Sequence, residues 1–410
     1  MIKRILIVIV INITLLAACS TTKEAAPSGG SDTTPANGIE MGTIERTEMK
    51  NVGFDGNFFR EICLLKSNQN VCISPLSAQM ALTMAAVGAE GETRSEILGC
   101  LQPEGDLNAE ANHIITEFED NNDEYEARLA NSIWINNTLE VKDNFLATNR
   151  ELLRAEANAV PFNNATVERI NSWCSEQTNG KIPTILSELS PNDRMVILNS
   201  VYFKAKWKKQ FNKNSTTTEP FTKDDGEVVD AKMMNQVFRT GYYEDEYVQV
   251  ASKPFESRFE MLLVLPKEGV DYSTAIDKVA ESLTEYQSCM EQCELTLSMP
   301  RFRYEFTTSL KPVLSNLGIE RAFDNRADFS GISDAPLYIS EVIQKTYINV
   351  EEEGAEAAGV TSMIIGLMSA PRPAERKIMT LDRPFIYAIV DNRTGAVLFA
   401  GRVTEPLQGE

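Results

Sequence analysis

A single large α+β domain is what this sequence predicts, on three observations. Helical periodicity is concentrated in the N-terminal half, and short β-branched or apolar runs dominate the remainder. No regular β-α alternation or repeat period connects the two. At 410 residues the chain could hold one large domain or two ordinary ones. From residue 46 to residue 410 no second polar linker divides it, so one domain is expected there.

The first 20 residues, "MIKRILIVIVINITLLAACS", place Lys3 and Arg4 before the apolar run Ile5–Ala18. That run is shorter than the roughly 20 residues needed to span a bilayer, so residues 1–18 read as a signal peptide. Leu16-Ala17-Ala18-Cys19 resembles a bacterial lipobox, in which the cysteine is lipidated. The expectation is an exported protein, lipid-anchored through Cys19 to the membrane of a bacterial cell envelope. Ser20 is compatible with sorting to the outer membrane. Residues 20–38 contain no Leu, Ile, Val, Phe, Trp or Tyr and cannot bury enough apolar surface to offset their ordering entropy. Residues 19–45 are therefore the anchor and its tether.

Helices come next. "GETRSEILGCL" (91–101) offers Thr93-x-x-Glu96 as a capping box before an apolar turn. "VERINSWCSEQTNGKI" (167–182) places Ile170, Trp173, Cys174 and Gln177 on one face, with Asn179-Gly180 as a stop. "TSLKPVLSNLG" (308–318) aligns Leu310, Val313, Leu314 and Leu317 and closes on Gly318. Strands are expected at "MVILNSVYF" (195–203), "MLLVLP" (261–266), "TYINV" (346–350), "FIYAIV" (385–390) and "GAVLFAGRV" (395–403). The last two flank Asp391-Asn392-Arg393-Thr394 and read as a hairpin.

Composition removes several functions. The formal net charge is −20, and loss of residues 1–18 removes Lys3 and Arg4 but no acid, giving −22. Nucleic acid and anionic membrane surfaces are thereby disfavoured as partners. There is a single histidine, His113, in a segment that reads as an ordinary helix. A Ser-His-Asp or Cys-His device would have to use it, and no His-rich metal site can be built. Neither standard Gly-rich phosphate loop occurs. The expectation is a protein that is not an enzyme and uses no cofactor or metal. Six cysteines beyond Cys19 are scattered along the chain, and buried free thiols are their default reading.

One segment fits neither element type. About 30 residues separate "TYINV" from "FIYAIV" without a helical period, and structureless loops beyond roughly 12–15 residues are usually functional. Its first part, "EEGAEAAG" (352–359), alternates. Taken as a strand, one face carries Ala355, Ala357, Gly359, Thr361 and Met363, and the other carries Glu356, Ala358, Val360 and Ser362. The small, uncharged face could join a packed sheet. A short alanine-rich helix is the competing reading of the same residues.

That segment resembles the proximal hinge of the serpins, the family named for serine-protease inhibitors. The resemblance continues through "NVCISPLSAQMALTMAAVGAEGETRSEI" (70–97), "INSWCSEQTNGKI" (170–182) and "LNSVYFKAKWKKQF" (198–211). "MPRFRYEF" (299–306), "LGIERAFDNRADFSGIS" (317–333) and "DRPFIYAIVDNRTGAVLFAGRV" (382–403) follow in serpin order. It implies the serpin fold: three β-sheets, about nine helices, and an exposed reactive-centre loop spanning about 352–375. It also implies a monomer acting by suicide, in which a target serine protease cuts the loop and is held covalently while the loop inserts into the main sheet.

The resemblance assigns residues as well. The hinge is Glu352, Glu353, Gly354, Ala355, Glu356, Ala357, Ala358 and Gly359. Counting from Glu352 in the family's way places the reactive bond at Met368–Ser369, with Leu367–Met368 as the nearest rival. Methionine there, with Ile364, Ile365 and Leu367 nearby, implies elastase-, chymotrypsin- or subtilisin-like targets. A polar cluster beneath the sheet is expected from Ser74, Ser77, Asn199 and Gln344, the last standing where the family has a histidine. Ala355 departs from the family's usual Thr or Ser, and Val360 is bulkier than its usual Ala or Ser. A non-inhibitory carrier serpin, or an inhibitor of cysteine proteases, remains the alternative.

Overall fold

The computed structural model describes residues 52–119, 125–283, 285–355 and 375–407. Nine α-helices are found among them: α1 (Phe54–Leu65), α2 (Pro75–Gly88), α3 (Gly91–Leu101), α4 (Leu107–Glu119), α5 (Asp143–Glu151), α6 (Asn164–Gln177), α7 (Tyr272–Ser282), α8 (Tyr286–Cys289) and α9 (Lys311–Asn316). The strands are β1 (Val71–Ile73), β2 (Tyr125–Asn136), β3 (Glu156–Val160), β4 (Met195–Lys206), β5 (Thr217–Thr222), β6 (Val228–Glu244), β7 (Val248–Pro254) and β8 (Phe259–Pro266). They continue with β9 (Glu291–Pro300), β10 (Phe302–Ser309), β11 (Ile339–Val350), β12 (Gly354–Ala355), β13 (Arg376–Thr380), β14 (Phe385–Asp391) and β15 (Val397–Val403).

The strands form two hydrogen-bonded ladders, one of six strands in the order β10-β11-β12-β4-β2-β3 and one of nine. The three sheets implied by the resemblance are recovered by dividing the nine-stranded ladder at β6. This 17-residue strand pairs with β5 and β9 over most of its length and with β7 over Tyr242–Glu244. One part is β5-β6-β9-β13, and the other runs β6-β7-β8-β14-β15-β1. The expected hairpin is β14–β15, an antiparallel pair whose turn uses Gly395 at φ 75°.

β4 is buried almost throughout, which is why its sequence is continuously apolar rather than alternating. Met195, Ile197, Val201, Phe203 and Ala205 join the main core, while Val196 and Leu198 join a second cluster under α6. α6 places Val167, Ile170 and Cys174 in that cluster with Trp173 packed at its edge, close to the face read from the sequence. Its Asn163 cap accepts from the Thr166 N–H at 3.1 Å. Asn171 holds the following loop by accepting from Ile185 and Leu186 and donating to the Leu186 carbonyl.

Two readings need correction. The Thr93–Glu96 capping box does not form, because α3 begins at Gly91, two residues before Thr93. Thr93 instead accepts from Asp328 N–H, and Glu96 accepts from the N–H groups of Glu320 and Arg321. Tertiary partners have taken both side chains. The stretch before "FIYAIV" also contains β13, paired in parallel with β9 and too polar to be recognised as a strand. Of the six cysteines, five are buried free thiols, and Cys289 is free and exposed.

Candidate functional site: the loop hinge and the parting strands

β4 and β11 lie side by side in parallel, paired from Met195 with Ile339 to Ser200 with Lys345. Beyond those residues the strands part, and β12 occupies the opening. Gly354 pairs with Lys206 and Ala355 with Ala205, antiparallel to β4, while Val350 pairs with Ala355 from the other side. The chain therefore leaves β11, turns with the Glu351 N–H donating to the Gly354 carbonyl at 3.0 Å, and starts back between two strands of its own sheet.

Gly354 is required by this approach, since a Cβ there would stand 2.1 Å from the Ala205 carbonyl oxygen. Ala355 is only 3% exposed. Beside it, Phe203, Tyr347, Ile348 and Asn349 line a cavity of about 10 Å³, room for about one water.

The turn is held from several sides. Glu352, 1% exposed, accepts from Arg301 Nε at 2.7 Å, from the same guanidinium's Nη2, and from Thr216 Oγ1. Burial alone would raise its carboxyl pKa, but Arg301 and Thr216 outweigh that and hold it below the usual carboxylate range. Backbone bonds complete the grip. Trp207 N–H donates to the Glu353 carbonyl and Phe211 N–H to the Glu352 carbonyl, each at 2.9 Å. The Trp207 indole donates to the Glu351 carbonyl at 2.8 Å, and Lys213 meets the Glu353 carboxylate at 2.6 Å. Trp207 is itself fixed by stacking on Phe255, with centroids 4.4 Å apart.

The polar cluster read from the sequence assembles where β4 and β11 are still paired. Gln344 faces Asn199 in the register and donates to its Oδ1 at 3.2 Å. The same amide donates to the Ser74 carbonyl and accepts from the Ser74 N–H, both at 2.9 Å. Asn199 donates to the Ser77 carbonyl and to Asn131 Oδ1, and Ser77 N–H donates to Ser74 Oγ at 3.2 Å. All four residues are buried. α2 is thus tied at its N-cap to the seam between two strands.

The structure brings Glu352, Glu353, Gly354 and Ala355 together at one end of the seam and Ser74, Ser77, Asn199 and Gln344 further along it. Glu356, Ala357, Ala358, Gly359, Met368, Ser369 and Cys19 lie outside the described residues. Sequence reasoning missed Arg301, Trp207, Phe211, Thr216 and Asn131. Arg301, Trp207 and Phe211 fall inside the quoted motifs "MPRFRYEF" and "LNSVYFKAKWKKQF", so their positions were visible although their partners were not. Asn131 becomes visible only through its register opposite Asn199. His113 is on the exposed side of α4 and belongs to neither group.

The chain thus begins to enter the middle of its own six-stranded sheet, between β4 and β11. The chain belongs to the serpin family: the family profile described as serpin (serine protease inhibitor) matches residues 49–406. A serpin-like protein of Thermococcus kodakarensis is 35% identical over 355 residues, covering 84% of this chain and 83% of that protein. The leukocyte elastase inhibitor of Bos taurus is 30% identical over 380 residues, covering 88% of this chain and all of that protein. Human thyroxine-binding globulin, solved in complex with thyroxine, superposes with a TM-score of 0.78 at 27% identity, covering 87% of this chain and 98% of that one.

Proposed function

We propose that this serpin is a suicide inhibitor of extracellular serine proteases with apolar specificity, and that it works by inserting its cleaved loop between β4 and β11. One observation carries this reading: the register of Gly354–Ala355. Continued along β4, it sets Ala357 opposite Phe203 and Gly359 opposite Val201, which with Ala205 point into the main core. Glu356 falls opposite Lys204 on the other face. Only uncharged side chains are then asked to enter the core, small ones at Ala355, Ala357 and Gly359, and the one charge meets a cation.

The same register brings Thr361 between Asn199 and Gln344, so full insertion replaces their mutual hydrogen bond with bonds to the arriving strand. A glutamine amide can donate and accept in either arrangement. Insertion converts exposed backbone into ladder bonds and buries apolar surface, so the intact state is the less stable one, held by a kinetic barrier. Ala355 to Met368 extended would span roughly 46 Å at about 3.3 Å per residue, enough to cross the sheet and carry an attached protease with it. The protease supplies all the covalent chemistry: its serine attacks the Met368 carbonyl, Ser369 leaves as the new amino terminus, and the acyl-enzyme is trapped before water arrives.

The reading also covers export and a lipid anchor at Cys19 in a bacterial cell envelope. Growth with a labelled fatty acid tests it; label that persists in Cys19→Ser would count against the anchor. For the inhibitory activity, residues 20–410 are incubated with neutrophil-type elastase, chymotrypsin, subtilisin and trypsin. A covalent complex on denaturing gels and a released peptide beginning at Ser369 are expected. Cleavage of the loop by each protease without any complex would reject inhibition of these classes and favour a carrier role, for which thyroxine-binding globulin is the structural precedent.

A further inference from the structure

Lys253, on β7, is 1% exposed, yet no carboxylate pairs with it among the described contacts. Its ammonium sits 4.3 Å from the Phe238 ring centroid, 4.4 Å from that of Phe211 and 5.6 Å from that of Trp207. It donates to the Lys209 carbonyl at 2.7 Å and to Gln236 Oε1 at 2.5 Å. Burial pushes its pKa down to about 7, with Lys209 nearby acting in the same direction; the three ring faces and two acceptors favour the charged form. A buried cation maintained in this way calls for a reason.

The reason lies in what Lys253 holds. Residues 207–211 form a strap between β4 and the turn at 351–353. On one side, the strap's N–H groups at Trp207 and Phe211 grip the carbonyls of Glu353 and Glu352. On the other, its carbonyls are gripped in turn: Lys209 by Lys253, and Gln210 by the Gln236 amide whose oxygen accepts from Lys253. The two aromatic side chains of the strap also face the ammonium. Lys208 N–H, donating to the Pro254 carbonyl at 3.0 Å, fastens the strap to the residue after Lys253.

We propose that Lys253 is a positioning residue for the loop hinge, its ammonium anchoring the 207–211 strap so that the strap can hold the turn at 351–353 in place. Without the ammonium, the Lys209 carbonyl and Gln236 oxygen lose their donor and the strap can shift, releasing the carbonyls of Glu352 and Glu353. The hinge would then advance between β4 and β11 before any protease has cut the loop. This inference rests on reading the hinge as the moving element of the proposed mechanism.

The test is amide hydrogen exchange at pH 6 on the full folded protein, comparing wild type with Lys253→Met and Lys253→Arg. Lys253→Met keeps the length of the side chain and relieves a buried charge, so its melting temperature should not fall. Exchange at the Trp207 and Phe211 amides should nevertheless accelerate about tenfold or more, as expected when a charge-assisted hydrogen bond is lost. Lys253→Arg, which keeps charge and donors, should restore protection. If Lys253→Met does not fold, Gln236→Met removes the same relay and should give the same local acceleration. Unchanged strap amides, or acceleration spread equally through α6 and β14, would overturn the proposal. These amides report on the strap whether or not a protease is trapped. A strap that loosens in a protein that traps no protease would therefore overturn only the inhibitory reading.

Discussion

Replacing Ala355 by glutamate is a direct challenge to the insertion register. The new carboxylate would lie where only 3% of the residue reaches solvent and where the adjoining cavity measures about 10 Å³. An unpaired ion in such a place costs several kcal/mol even after relaxation. The intact protein has an escape, which is to withdraw Gly354 and Ala355 from between β4 and β11. Withdrawal exposes one methyl group, about 0.8 kcal/mol, and gives up the ladder bonds of two residues at roughly 0.5–1.5 kcal/mol each. The loss of native stability is therefore capped at about 2–4 kcal/mol.

The cleaved protein has no such escape, because in the proposed path position 355 leads the strand into the sheet. A penalty of about 3 kcal/mol on that step slows it on the order of 100-fold, and hydrolysis of the acyl-enzyme then wins. The assay is a titration of wild type and Ala355→Glu against the trapped protease, read on denaturing gels, with thermal melts of the loop-cleaved proteins. Wild type should give a covalent complex and a large gain in heat resistance on cleavage. The variant should give cleaved chain, free protease and little gain. Trapping at wild-type stoichiometry would refute the register.

Other outcomes follow from the same contacts. Glu352 has a lowered pKa, so its contribution to holding the turn is fully present above the ordinary value of 4.5 and is lost as pH falls through the lowered folded value. Exchange of the Trp207 and Phe211 amides, corrected for intrinsic rates, should rise across that acid window and stay flat from there to about pH 6, below the range in which Lys253 loses its proton; protection unchanged on acidification would contradict the assignment. Gln344→Leu removes the partner of Ser74 N–H and Asn199 and should lower stability to denaturant by about 1–3 kcal/mol per group left unpaired; an unshifted denaturation midpoint would show that the cluster carries little. Gly354→Val places side-chain carbon against the Ala205 carbonyl and should expel β12, exposing the 351–355 turn to limited proteolysis, whereas wild-type resistance would argue against the close approach.

The single α+β domain and most strong elements were legible because each carries its own pattern. β4, β8, β14 and β15 were found from apolar runs, and α6 and α9 from helical spacing and their Gly stops. β13 was not, because its sequence "RKIMT" has the composition of a loop and becomes a strand only by lying against β9. The cap at α3 was misplaced for a related reason: Thr93 and Glu96 have the right spacing for each other but better partners at Asp328 and Arg321. Local spacing cannot report a competitor more than 200 residues away.

At the site the division is similar. The sequence by itself determined that residues 352–359 could alternate between a core face and a solvent face, because that depends only on residue size, charge and a period of two. It also singled out Ser74, Ser77, Asn199 and Gln344 through motif resemblance. Only the tertiary structure decided which strands the hinge starts between, and that Arg301 neutralises the buried Glu352 from 51 positions away in sequence. Lys253 carried no sequence signal at all. Its meaning comes from three aromatic rings and two oxygens converging on one ammonium, and such convergence is created by folding rather than by any local run of residues.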